Sequence, residues 1–212
     1  MKYKANYLYP STAKALFCLL IALTLGGCAF VHRPVSAESY DFGPQPLTAA
    51  PAAAAAQELP PLALADVDTS QALDGRAMLY RLGYADARQL RPYAHARWSA
   101  PPAQLVRQRL REVLGQQRTV VDAGTGTVPL LLRVHLQEFS QQFASPTQSS
   151  GVIRVLATLS RMTPAGELPV AQRTVEVRRP APSADAPGGV QALAAATDAT
   201  AQELAQWLAP LR

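Results

Sequence analysis

One apolar run near the N-terminus decides which part of this 212-residue chain can fold in water. Residues 15–25 are apolar apart from Thr24, and Lys2, Lys4 and Lys14 precede them. A run of this length fits the apolar part of a secretion signal, whereas a helix that crosses a bilayer needs about 20 apolar residues. We therefore predict that residues 1–27 are a signal peptide, which is removed and takes no part in the folded protein.

The end of this segment resembles the lipobox of bacterial lipoproteins. Leu25, Gly26 and Gly27 stand before Cys28, so that a large aliphatic residue and two small residues precede a cysteine. The resemblance implies cleavage before Cys28 and a covalent N-acyl diacylglycerol on Cys28, with the glyceride joined to its sulfur as a thioether and with no other cofactor. Several acyl chains make a stable anchor because each buried methylene contributes about 0.8 kcal/mol. The alternative is an ordinary signal peptide that ends beside a chance cysteine.

The residue after the cysteine bears on location. In enterobacterial lipoproteins an aspartate at this place usually retains the protein at the inner membrane, and this chain has Ala29 there. The sequence therefore favours the periplasmic face of the outer membrane.

Loss of the signal would change both the charge and the cysteine content. All three lysines leave with it, so 17 arginines face 15 acidic residues in what remains. Nucleic-acid binding needs a concentrated basic surface, and this near balance argues against it. Cys18 also leaves, and a lipidated Cys28 can form neither a disulfide nor a thiolate metal site.

Proline and alanine dominate the next segment. Residues 28–58 contain Pro34, Pro44, Pro46 and Pro51 and a run of alanines, a composition typical of extended spacers, and we predict a tether from the lipidated cysteine. Residues 40–44, Tyr-Asp-Phe-Gly-Pro, are an exception because they carry two aromatic rings. Docking on the domain, docking on a neighbour and an isolated turn all remain open for them.

The remaining residues, 59–212, are long enough to bury about 70% of their unfolded surface in a single domain. Period-two alternation and turn residues predict strands, while two prolines open a helix that ends at Gly115. The predicted strands are 62–67, 76–82, 90–97, 128–143, 151–161 and 170–178, and the second helix is 190–208. This order predicts an α+β fold, a mixed sheet with two principal helices packed on it in two or three layers.

Candidates for catalysis are few. His95 has no nucleophile or carboxylate partner near it in sequence, and His135 falls on the polar face of a strand, where a solvated histidine is expected. Residues 124–127, Gly-Thr-Gly-Thr, lack a phosphate-loop lysine and precede a strand, so they read as a turn. We expect no enzyme, no metal and no small cofactor, although a triad could still assemble from distant positions.

Aromatic and arginine side chains are concentrated between residues 76 and 98. Such side chains anchor protein interfaces. We predict a partner interface at Tyr84, Arg88, Arg91 and Tyr93, with core packing as the alternative for both tyrosines.

Several of these motifs together resemble the ABC-type transport auxiliary lipoprotein family (PqiC-like). The motifs are residues 73–81 (LDGRAMLYR), 93–102 (YAHARWSAPP) with Leu105, 136–139 (LQEF), the early YDFGP of 40–44, and a C-terminal alanine-rich helix that ends in Trp207. The resemblance implies a non-catalytic subunit that docks the periplasmic mammalian-cell-entry (MCE) protein of an ABC lipid transporter at the outer membrane, supports envelope integrity and can form a homo-oligomer. A structural envelope lipoprotein and a periplasmic lipid-binding lipoprotein are the alternatives.

Overall fold

Long stretches of alternating apolar and polar residues build the centre of the protein. The structure is a computed structural model that describes residues 36–44, 59–125 and 128–211. The strands are β1 (Glu38–Tyr40), β2 (Leu62–Thr69), β3 (Ala77–Leu82), β4 (Ala87–Trp98), β5 (Val120–Asp122), β6 (Leu130–Ser145), β7 (Gln148–Thr163) and β8 (Gly166–Pro180). The helices are α1 (Gly83–Asp86), α2 (Pro102–Gly115) and α3 (Ala186–Leu208), and a 3₁₀ turn covers Gln71–Leu73.

The sheet is organised around β6. On one edge β6 pairs antiparallel with β7, which pairs antiparallel with β8. On the other edge the first half of β6 pairs parallel with β2, and its last residues pair parallel with β3. β5 extends the β2 side, while β4 and then β1 extend the β3 side. The sheet is therefore mixed and divides into two arms on that edge.

Helices α2 and α3 pack on one face of this sheet. Leu130, Leu132 and Val134 of β6 point into the core beneath the helices, and the alternate residues Arg133 and His135 are exposed on the opposite face. The result is a two-layer α+β domain with two principal helices, which confirms the predicted fold class. Within the described ranges no helix is both long and apolar enough to cross a bilayer.

Helix α3 begins earlier than the sequence predicts. The prediction placed its start at Val190 because Pro180–Gly189 reads as a loop, whereas the helix starts at Ala186. Asp185 is the N-cap, and its carboxylate accepts a hydrogen bond of 2.8 Å from the Gly188 amide. Proline is tolerated in a first helical turn, so Pro187 does not oppose this start. Gly83–Asp86, which lies between two predicted strands, forms the short helix α1.

Glycine allows α3 to lie directly against β7. A Cβ atom added at Gly151 would lie 2.6 Å from the backbone carbon of Ala192 and from the backbone nitrogen of Leu193. Backbone atoms cannot rotate away as a side chain can, so the whole helix would have to shift. The close approach of α3 to the sheet depends on the missing side chain at this position.

We predict that Gly151→Ala lowers the free energy of unfolding by about 1–3 kcal/mol, the usual cost of forcing extra atoms into a packed core. Urea denaturation followed by circular dichroism measures the change. Gly115→Ala is the matched control, because a Cβ at Gly115 meets nothing within 4 Å. Alanine is the better helix former, so the control is unchanged or more stable by up to about 1 kcal/mol. Equal losses in both variants would contradict this account of the helix contact.

Candidate functional site

A short segment from the predicted tether is part of the folded domain. β1 pairs parallel with the end of β4, where Glu38 lies opposite Ala96 and Tyr40 opposite Trp98. The Ser99 amide donates a 2.7 Å hydrogen bond to the carbonyl of Tyr40. Strand β1 therefore covers the edge of β4, which would otherwise present unpaired backbone groups.

Aromatic packing holds the residues that follow β1. The ring of Phe42 meets the indole of Trp98 edge-on with centroids 5.7 Å apart, and it lies 6.0 Å from the ring of Phe139. Trp98 and Phe139 are both buried in the core, with centroids 5.5 Å apart. The segment thus adds a third ring to an aromatic cluster of the domain.

A buried arginine of α2 completes this attachment. Arg109 is only 4% exposed, and its Nη2 donates to the carbonyls of Phe42 at 3.2 Å and Gly43 at 3.1 Å. Its Nη1 lies 3.2 Å from the carboxylate of Asp198 in α3, and its Nε lies 3.5 Å from that of Glu112. One guanidinium therefore joins the segment to both principal helices. We name this arrangement the clamp: residues 38–43, Arg109, Glu112 and Asp198 with the aromatic cluster.

These contacts settle which alternative holds for the Tyr-Asp-Phe-Gly-Pro motif. It docks on the domain of its own chain, so the compact unit begins at Ala37 and not near residue 59. The tether prediction fails for residues 38–43 because backbone pairing and aromatic burial outweigh the spacer-like composition around them. Cys28 and residues 45–58 lie outside the described residues.

Other arginines of α2 interact with the edge of the sheet. Arg107 and Arg111 both bind the carboxylate of Asp122 in β5, and Arg107 Nε also lies 3.1 Å from the carboxylate of Asp66. Hydrogen bonding from Arg107 and the charges of both guanidinium groups hold the pKa of Asp122 below its usual range. These pairs are solvent-accessible and tie the helix to β5.

The second candidate surface is the hairpin formed by β3, α1 and β4. Tyr84 at its tip is 50% exposed, and Arg88 is exposed beside it. The hairpin is braced by Arg81, whose Nη2 lies 3.1 Å from the carboxylate of Glu138 and whose Nη1 donates to the carbonyl of Arg88 at 3.2 Å. Arg91 is half-buried and hydrogen-bonds to the side chain of Gln89. The predicted interface at Tyr84, Arg88 and Arg91 stays a prediction.

Tyr93 has a structural role in this region. Its hydroxyl donates a 2.8 Å hydrogen bond to Oε1 of the fully buried Gln141, and its ring centre is 4.7 Å from that of Tyr80. Gln141 in turn donates to the hydroxyl of Ser149 at 2.8 Å. Burial raises the pKa of Tyr93, so its hydroxyl stays protonated and can donate this bond. Substitution of Tyr93 therefore perturbs the fold as well as any interface.

The residues considered for catalysis or metal binding do not form a site in the described part of the chain. The side chains of His95 and His135 are both exposed to solvent. In the part of the chain that the structure describes, no three histidine, cysteine, aspartate or glutamate side chains gather where they could hold a metal. Gly124 adopts a φ of 85°, which supports the turn predicted at this position.

The position of Arg109 in the sequence already indicated that it is buried, although it was not singled out as a candidate from the sequence. Arg109 falls within the apolar stripe of α2 together with Leu105, Leu110 and Val113. A charged residue at a core position must be paired, because an isolated buried charge is very costly. What the sequence could not show is that its partners lie 66 residues upstream and 89 residues downstream.

We predict that Arg109→Gln lowers the free energy of unfolding by about 2–3 kcal/mol, since it removes several charge-assisted hydrogen bonds at a buried position. Partial exposure of Asp198 and Glu112 keeps the loss below that of a fully buried pair. The control is Arg111→Gln on the same helix, whose accessible pair is worth less than about 1 kcal/mol. Urea denaturation measures both variants, and equal losses would show that the clamp adds nothing to stability.

Two solved structures share this fold. A protein from Xanthomonas campestris assigned to the DUF330 family superposes with a TM-score of 0.69 at 20% identity, covering 82% of this chain and 95% of that one. An uncharacterized protein superposes with a TM-score of 0.62 at 15% identity, covering 82% and 99%. No curated protein matches the sequence.

A family model identifies the chain more directly. The model for the ABC-type transport auxiliary lipoprotein component matches residues 40–205. The matched region starts in the docked segment and runs through every later strand and into α3. The chain therefore belongs to the family of ABC-type transport auxiliary lipoprotein components.

Proposed function

We propose that this protein docks the periplasmic MCE-domain component of an ABC-type lipid transport system at the outer membrane and acts by binding, without catalysis. The observation that carries this proposal is the family match over residues 40–205, which makes the chain an auxiliary component of an ABC-type transport system. ATP hydrolysis and lipid extraction then belong to other subunits. Envelope integrity depends on the protein only through the transport that it supports.

The geometry of the hairpin supports a binding role. Tyr84 and Arg88 are presented on a braced element, because the Arg81–Glu138 ion pair fixes the hairpin against β6. Aromatic and arginine side chains on a preorganised support lose little conformational entropy when a partner binds. The hairpin is therefore the surface that we assign to the MCE component.

Membrane attachment through Cys28 is the second part of the proposal. The lipobox-like Leu25–Cys28 sequence and Ala29 after it support a lipid anchor at the periplasmic face of the outer membrane. We expect intact mass spectrometry to show a chain that begins at Cys28 and carries three acyl chains. Cys28→Ala is expected to be recovered without lipid and away from the outer-membrane fraction. An unmodified thiol on the native protein would refute the anchor.

Capture of the partner tests the docking role. The tagged lipoprotein is co-expressed with the MCE-domain protein of the same genome and extracted in detergent, and the MCE protein is quantified by mass spectrometry. Tyr84→Ala together with Arg88→Ala is expected to reduce recovery at least about fivefold, which corresponds to about 1 kcal/mol. Val170→Ala, an exposed apolar residue on β8, is the matched control and leaves recovery unchanged.

Two results would redirect the proposal. Absence of the MCE protein from the wild-type complex would favour a structural envelope lipoprotein unrelated to transport. Phospholipid that co-purifies with the isolated domain at a fixed ratio would favour a lipid-binding lipoprotein. Size measurement of the same preparation determines whether the docking subunit is a homo-oligomer.

A further inference from the structure

We propose that the clamp, and not the start of β2, is the point at which the membrane tether is fastened to the domain. The proposal rests on the lipid anchor proposed for Cys28. It assigns to residues 38–43 the role of a fixed strap that sets how far the domain can stand from the bilayer. Residues 38–43 in the clamp come from the same chain as the domain that holds them.

Several elements of the domain hold the segment. β4 provides backbone pairing, the core provides the rings of Trp98 and Phe139, and α2 provides Arg109, which pairs in turn with Asp198 of α3. Arg109 also binds two successive carbonyls, those of Phe42 and Gly43, so the backbone cannot slide past it without losing both bonds. Arg109 is 4% exposed with the segment in place, and release would remove both of its carbonyl partners. A segment that served only as a spacer would need none of these contacts.

The consequence for reach follows from chain length. An extended chain spans about 3.3–3.6 Å per residue, so the ten residues from Cys28 to Glu38 reach at most about 35 Å. If the segment were free, the 34 residues from Cys28 to Leu62 would reach about 115 Å. With the clamp closed, residues 45–58 do not lie on the path from the domain to the membrane.

This difference gives a test with matched insertions. The same twelve-residue Gly/Ser insert is placed after Val31 in one variant and after Ala54 in another. Gln206→Cys supplies an exposed labelling site on α3, since the proposed lipidation blocks Cys28. Energy transfer from this dye to a headgroup-labelled phospholipid is measured for the lipidated protein in phosphatidylethanolamine–phosphatidylglycerol vesicles.

With the clamp closed, only the insert after Val31 lengthens the path to the membrane. A flexible insert of this length adds about 20 Å of root-mean-square span. Energy transfer therefore falls when the insert follows Val31 and is unchanged when it follows Ala54. Phe42→Ala alone, without an insert, opens the clamp and lowers energy transfer. When each insert is added to the Phe42→Ala variant, the two inserts lower energy transfer equally. Equal effects of the two inserts in the wild-type background would overturn the proposal.

Amide hydrogen exchange separates failure of the clamp from failure of the lipid anchor. In full-length Cys28→Ala, which cannot be lipidated, the amides of residues 39–43 and Ser99 are expected to exchange slowly, and Phe42→Ala speeds their exchange. If these amides exchange slowly but the native protein carries no lipid, the anchor and its consequence for reach are refuted, and the docking of the segment stands. If these amides exchange fast in Cys28→Ala, the clamp itself is refuted. A concentration-dependent dimer that persists only while the segment is protected would show docking on a second copy and would also overturn the proposal.

Discussion

The architecture depends on a strand that must serve two neighbours on one edge. β6 runs from Leu130 to Ser145, and its register against β7 shifts between Leu136 and Glu138. Before this irregularity β6 pairs with β2, and after it β6 pairs with β3. Bulges bend a strand and increase its twist, so the two partners can diverge into separate arms. The arm that begins with β3 carries both the hairpin and the docking edge for β1.

The clamp can bury the charge of Arg109 because carbonyl and carboxylate groups surround its guanidinium and offset the cost of desolvation. Desolvation of an arginine costs several kcal/mol, and a single surface-type ion pair would not repay it. Arg109 has two carbonyls and two carboxylates around it, and the carboxylates of Asp198 and Glu112 remain 37% and 40% exposed. Only one member of each pair is therefore desolvated. Arg118 provides a contrast within the described residues, since its Nη2 reaches the Leu208 carbonyl at 3.2 Å while Nε and Nη1 have no partner. Burial accordingly lowers the pKa of Arg118.

Local patterns in the sequence were sufficient for the long strands and for the start of α2, but not for the short elements β1, α1 and β5 or for the start of α3. Alternation identified the long strands, and the double proline identified the start of α2, because side-chain burial and proline geometry are properties of neighbouring residues. The division of β6 between two partners could not be read, since pairing is decided between segments that are distant in sequence. The same reason explains the two sites. The sequence left an interface and core packing open for Tyr93, and its bond to Gln141, 48 residues away, could not be read from local pattern. The docking of Phe42 depends on rings that lie 56 and 97 residues further along the chain.

Strand β4 links the clamp to the proposed partner surface. Ala96 to Trp98 hold β1 at one end, and Arg88 lies beside the hairpin tip at the other end. Ala96 lies eight residues after Arg88, which places the proposed partner surface roughly 25 Å from the clamp along one strand. With the proposed lipid at Cys28 and the proposed partner at Tyr84, a pull between membrane and transporter would pass along β4 and be shared with β3 through backbone pairing. A flexible attachment at β2 would instead transmit that load through the other arm of the sheet, and the position of the hairpin relative to the membrane would no longer be fixed.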